Sequence, residues 1–344
     1  MKLKSILYAL AISYGILGCS KSTNGPDNTS SYNDIYLAGS ENNATGVSIA
    51  KYWKNNTAIS LTDGSHSAEA LDVFVTDNND VYVSGYEENS SSIEIAKYWK
   101  NGVPVNLTNG ADRASAYSIL VSGNDVYVAG YERNSSGISV AKYWKNGIAV
   151  SLTDGTRPAE GQDICVSGSD IYVSGIEYNG FVDVAKYWKN GVAVTLGDGI
   201  IDTDATGIAV LGNDVYVCGT KQTTEFTALY WKNGIENDLT NGVNRAQALD
   251  LAVSGSDIYI AGYETNSISG NGKAVYWKNG TSVNASNTGD ESGAFGIAVS
   301  GNDVVTAGET YSATNSMATY WKNGAQTVLT TGSTDASVYR IFLK

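Results

Sequence analysis

After the N-terminal segment, apolar residues in this chain come only in short runs. "AYSILVS" (116–122), "VYVAGYE" (126–132), "ISVAKYW" (138–144) and "IAVSLT" (148–153) follow one another, separated by "GND", "RNSSG" and "KNG". The runs are rich in β-branched and aromatic residues and bounded by Gly, Asn, Asp or Ser. That pattern predicts four strands, A to D. The Gly-bearing connections A–B and C–D suit tight hairpins. The D-to-A connection takes about eight residues, the length a crossing to a new sheet needs. Strands apolar on both faces, such as "DVYVAG", fit burial between layers better than strict alternation does. No helix-period segment is visible.

The four-run unit repeats. Seven Trp stand at 53, 99, 144, 188, 231, 277 and 321, spaced by 46, 45, 44, 43, 46 and 44 residues, each after Tyr and before Lys-Asn. A second phrase, "DIYLAG" at Asp34 and "DVYVAG" at Asp125, keeps the same rhythm to "DVVTAG" at Asp303. Four antiparallel strands per repeat of this length predict β-propeller blades. The first unit begins at its A–B turn and lacks strand A. The last is followed by "ASVYRIFLK", where Tyr339 lies 18 residues after Trp321, as Tyr117 lies 18 after Trp99. This spare strand A, laid beside the first strand B, closes the ring and removes its sticky edges. The expected fold is all-β: a seven-bladed propeller of four-stranded antiparallel blades over residues 33–344, closed by the C-terminal strand.

The first residues are of another kind. Lys2 and Lys4 precede an apolar stretch from Ile6 to Leu17, too short for a stable spanning helix and shaped like a secretory signal. Ile16-Leu17-Gly18-Cys19 resembles the bacterial lipobox, which implies cleavage before Cys19 and lipidation of that residue. Residues 1–18 are thus expected to be a signal peptide and 19–32 a polar tether carrying lipid. No later run is long enough to span a bilayer. The expected location is the bacterial outer membrane or cell surface, with the propeller in the periplasm or outside.

The net charge of −13 argues against nucleic acid as a partner, because phosphate backbones repel an acidic protein. Cys165 and Cys218 replace small or apolar residues of repeated strands and are expected to be buried free thiols. No metal or cofactor is expected. The single His, His66, excludes a histidine-rich zinc site and leaves a Ser-His-Asp triad one residue to use.

A Trp used identically in every blade is expected to pack between blades. The Asp that opens each strand B is expected to cap its own turn through backbone N–H groups. Glu41, Glu87, Glu132 and Glu177 on strand B recur with Lys51, Lys97, Lys142 and Lys186 on strand C, which predicts cross-strand ion pairs. Blade 5 has Lys221 and Leu229 at these places, and blade 7 has Thr310 and Thr319. Function is expected where the repeat breaks. The D–A loops, with the B–C loops on one face, carry His66, Arg113, Arg157, Asp202, Asp204, Arg245, Asp290 and Glu291.

The "GNDVYVAGYE…AKYWKNG" unit resembles the repeats of bacterial secreted and lipoprotein β-propellers over about residues 33–344. The resemblance implies the fold and no catalytic residues, since propellers host binders, scaffolds and enzymes alike. Three functions remain open. The leading one is a monomeric, non-enzymatic envelope lipoprotein binding a protein or glycan through the D–A/B–C face. The others are a polysaccharide-active enzyme using carboxylates there and a structural envelope protein.

Overall fold

The computed structural model of the chain describes residues 32–265, 272–286 and 291–344. Seven four-stranded antiparallel sheets form a closed ring. Blade 3 shows the pattern: strand A Ala114–Ser122, B Asp125–Arg133, C Ser139–Lys145 and D Ile148–Ser151. These bounds match the sequence reading to within two residues. In blade 1 the C-terminal strand, Ala336–Leu343, pairs antiparallel with Ile35–Asn42, so the ring closes as expected.

All seven Trp are fully buried. Trp144 of blade 3 packs on Tyr82 and Ala96 of blade 2, and Trp99 on Tyr36, Ala38 and Ala50 of blade 1. The repeated Trp is an inter-blade wedge.

The A–B ladders carry a β-bulge in every blade but the fifth. There the strand B glycine lies against the strand A carbonyl. A Cβ on Gly130 would sit 2.0 Å from the Ser115 oxygen, and one on Gly85 1.9 Å from that of Glu69. Only Gly fits such an approach.

The turn end of each blade is locked by one clamp. Lys145 Nζ lies 2.7 Å from Asp125 Oδ2, and Asn146 Nδ2 donates to Asp125 Oδ1 at 2.7 Å. Asn146 Oδ1 accepts from Val126 N at 2.9 Å, and Lys145 sits over the Tyr127 ring at 5.2 Å. The Asn takes φ 51° and the following Gly φ 79°, as a tight hairpin requires. The Lys–Asp pair recurs in every blade at 2.7–3.1 Å. The expected role of the Asp is corrected here. Asn, not Asp, accepts the backbone N–H, because a strand-opening carboxylate lies nearer the Lys and Asn side chains across the C–D hairpin.

The cross-strand pairs are present in blades 1 to 4: Lys51–Glu41, Lys97–Glu87, Lys142–Glu132 and Lys186–Glu177, at 2.5–2.6 Å. Where the sequence departs, the chemistry changes with it. In blade 5, Lys221 turns to Glu236 and Asp238 on strand D. In blade 7 the Thr310 and Thr319 hydroxyls meet at 2.9 Å.

A polar belt around the axis escaped the sequence reading. Asp72, Asp163 and Asp250 occupy strand A of blades 2, 4 and 6, and each accepts a backbone N–H from the next blade: Ile119, Ile208 and Ile297 at 2.9–3.0 Å. Ser118 Oγ sits between two of them, 2.6 Å from Asp163 Oδ1 and 2.9 Å from Asp72 Oδ2, with one proton for the two. Arg340 of the closing strand reaches across to the carbonyls of Thr206, Leu249 and Phe295, on blades 5, 6 and 7, with Asp250 at 3.6 Å. One buried guanidinium thus ties the last strand to the far side of the ring.

The thiols divide. Cys218 is free and buried, its Sγ 3.4 Å from Thr206 Oγ1. Cys165 is disulfide-bonded, which corrects the expectation of a free thiol.

Candidate functional site

The ring has two unlike faces. A–B and C–D turns form a hairpin face, and B–C and D–A loops a loop face. On the loop face the D–A loop is strapped to the B–C loop in blades 1 to 4 and 7. Asn134 Nδ2 donates to Gly155 O at 3.0 Å, and Asn89, Asn179 and Asn315 do the same to Gly110, Gly199 and Gly332.

The predicted residues distribute over this scaffold. His66 is exposed on the first D–A loop. Arg113 pairs with Glu94. Arg157 donates to the Asn179 carbonyl. Asp202 Oδ1 accepts from Asp183 N at 2.8 Å. The Arg245 guanidinium lies over the Phe226 ring at 4.6 Å. Glu291 is exposed, its carbonyl accepting from Tyr311 N at 3.2 Å. Asp290 lies outside the described residues, as do Cys19 and the whole of residues 1–31. The loop charges are not brought to one point. Most brace neighbouring loops.

Asp204 differs from the rest. Its backbone stands beside Gly219 as those of Glu69 and Glu160 stand beside Gly85 and Gly175, so the three carboxyls share one register position in blades 5, 2 and 4. Thr220 N donates to Asp204 Oδ1 at 2.6 Å. Burial outweighs that bond and pushes the Asp204 carboxyl up to about 7, with Asp183 adding repulsion. Burial raises Glu69 and Glu160 as well, against the phenol hydrogen bonds they receive. Tyr117 Oη donates to Glu160 Oε2 at 3.1 Å, and the Tyr117 and Tyr131 rings lie 5.7 Å apart. The axial mouth of the loop face is therefore a belt of phenols and desolvated acids. Among the described residues none of these three carboxylates has a Lys or Arg partner. Glu69, Glu160 and Asp204 can be read off the sequence, but their burial beside the strand B glycine cannot.

Further out, blade 4 carries the most exposed aromatic among the described residues. Phe181, at the B–C loop tip, is 89% exposed, and Ile200 stands exposed on the D–A loop strapped to it. Between these loops lies a cavity of about 250 Å³, lined by Arg157, Glu177, Tyr178, Lys186 and Asp198. No group of three or more metal-ligating side chains occurs among the described residues.

No family model and no curated protein matches the chain. Solved structures do. An acylaminoacyl peptidase from Pyrococcus horikoshii is 10% identical, with a TM-score of 0.53 over 93% of this chain and 54% of the peptidase. The β-propeller domain of the Trilobed protease from Pyrococcus furiosus, described as having an open velcro topology, is 10% identical, with a TM-score of 0.52 over 89% of this chain and 94% of that one. A puromycin-hydrolyzing peptidase from Mycobacterium tuberculosis is 10% identical, with a TM-score of 0.53 over 92% and 56%. The chain spans about half the length of the two peptidases. At such identity the likeness shows the propeller fold and nothing of the chemistry.

Proposed function

We propose that this chain is a lipid-anchored bacterial envelope protein, monomeric and non-enzymatic, whose propeller binds a protein or glycan through its loop face. It sits at the outer membrane or cell surface, with the propeller in the periplasm or outside. The observation that carries the binding reading is the blade 4 corner. An exposed Phe181 and Ile200 flank a cavity with two cations and two carboxylates at its wall. Exposed apolar rims around a polar concavity are the usual form of a recognition surface.

The test is a thermal-shift panel of glycans, peptides and divalent cations. A ligand at 100 times its Kd adds about 2.7 kcal/mol, which moves the midpoint by several degrees. Phe181→Ala should abolish the shift and leave the unliganded midpoint unchanged. A shift that survives this change would move the site elsewhere. The anchor is tested separately by weighing the N-terminal peptide of the mature protein. A lipid-bearing Cys19 supports it. Cys218 is free and Cys19 is the one cysteine left to pair with Cys165, so that disulfide and a lipid on Cys19 exclude each other. An unmodified Cys19, or one bonded to Cys165, would overturn the anchor.

One observation favours a second reading, a glycan-cleaving enzyme. Asp204, half protonated near neutral pH and close to Asp183, has the character of a general acid. Turnover of the shifting glycan, lost in Asp204→Asn, would replace the binding reading with this one.

A further inference from the structure

Strand D, the outer edge of each blade, opens directly after the C–D turn, on the rim of the hairpin face. In blades 2 to 5 its first residue is Val103, Ile148, Val192 or Ile235. In blades 1, 6 and 7 it is Thr57, Thr281 or Ala325. The four branched side chains are 64, 73, 69 and 70% exposed. A single exposed aliphatic residue is ordinary. Four at one register position in four consecutive blades form an apolar arc. The neighbouring Lys100, Lys145, Lys189 and Lys232 are each neutralised by the clamp Asp, so the arc carries little net charge of its own.

The N-terminal segment joins the propeller on this same face. Blade 7 lacks the clamp tyrosine, having Val305 where blade 3 has Tyr127. Tyr32 fills the gap. Lys322 lies over the Tyr32 ring at 5.0 Å, and Tyr32 Oη donates to Asp303 Oδ2 at 3.1 Å. Asn33 N and Asp34 N bond the Lys344 carbonyl at 2.6 and 2.8 Å. Residues 19–31 therefore connect to the hairpin face, not to the loop face. A chain of that length spans at most about 45 Å when fully extended.

We propose that the hairpin-face rim of blades 2 to 5 rests on the bilayer that holds the anchor, with the four aliphatic tips in the headgroup region. The loop face, with Phe181 and Asp204, then points away from the membrane. The proposal rests on the lipid anchor of the preceding reading. It adds a second membrane contact, weak alone and effective next to a tether.

The experiment uses the mature protein in vesicles of phosphatidylethanolamine and phosphatidylglycerol with brominated acyl chains. An environment-sensitive dye is placed at Ile148→Cys on the rim and, separately, at Ser136→Cys on the loop face of the same blade. The expected result is a blue shift and bromine quenching at position 148 and neither at 136. The rim signal should be lost when Val103, Val192 and Ile235 are changed to Ser, with an unchanged melting midpoint. Equal signals at both positions, a signal only at 136, or a rim signal that disappears on diluting the protein within the membrane would overturn it. The last of these would mean a second copy of the chain covers the arc. If the mass of the N-terminal peptide shows no lipid, the same labelled chain is held on nickel-chelating lipid by an N-terminal histidine tag. A blue shift at 148 then keeps the rim contact and discards the anchor, and its absence discards both.

Discussion

The hairpin face and the loop face are made by the same repeat, yet one is nearly seven-fold uniform and the other is not. On the hairpin face Asp, Lys, Asn and an aromatic ring form the same clamp in each blade, the seventh ring being supplied by Tyr32. On the loop face Asn–Gly straps recur, but the side chains around them change: Arg113 pairs with Glu94, Arg157 with a carbonyl, Arg245 with Phe226. The clamp needs every member to close a tight turn. The loops need only their backbone straps, which leaves their side chains free to vary.

The largest expected effect is at the axis between the two faces. Arg340→Met removes three carbonyl bonds and the cation facing Asp250, and should cost about 3–5 kcal/mol in urea unfolding. A smaller loss would mean the closing strand holds by its ladder alone. Asn146→Ala attacks the uniform face. It removes two clamp hydrogen bonds and the left-handed turn residue, at about 1–2 kcal/mol. On the variable face, Asn134→Ala loses a strap and should cost less, about 1 kcal/mol. Equal losses would erase the contrast between the faces.

Asp204 gives that contrast a pH dependence. Its folded carboxyl titrates near 7, above the ordinary value of 3.8, so the folded state holds the proton longer than the unfolded chain. This term is fully present below about pH 4 and is lost as pH rises through 7. Asp204→Asn should therefore raise the melting midpoint at pH 8, change it little at pH 4, and flatten the slope between. An unchanged slope would show that the group is solvated. The smallest effect belongs to the strand B–C pairs. A Glu132→Gln and Lys142→Gln cycle should give a coupling of about 0.5–1 kcal/mol. Additive losses would remove these pairs from the account of stability.

Sequence alone determined the blades, because strand length, turn residues and Trp spacing are local and repeated. It also determined closure of the ring, since each terminus lacks what the other supplies. The Glu–Lys pairs were legible because cross-strand neighbours follow from register once the hairpin is known. Three features were decided only by tertiary structure. Arg340 meets carbonyls on the opposite side of the ring, 91 and 134 residues away in sequence. Asp204 reads as one more loop acid until burial raises its carboxyl. Tyr32 lies outside any repeat and matters only because blade 7 lacks a ring. A repeat fixes what each blade does to the next one. Contacts across the axis, desolvation and the seating of an extra segment depend on all seven blades being in place.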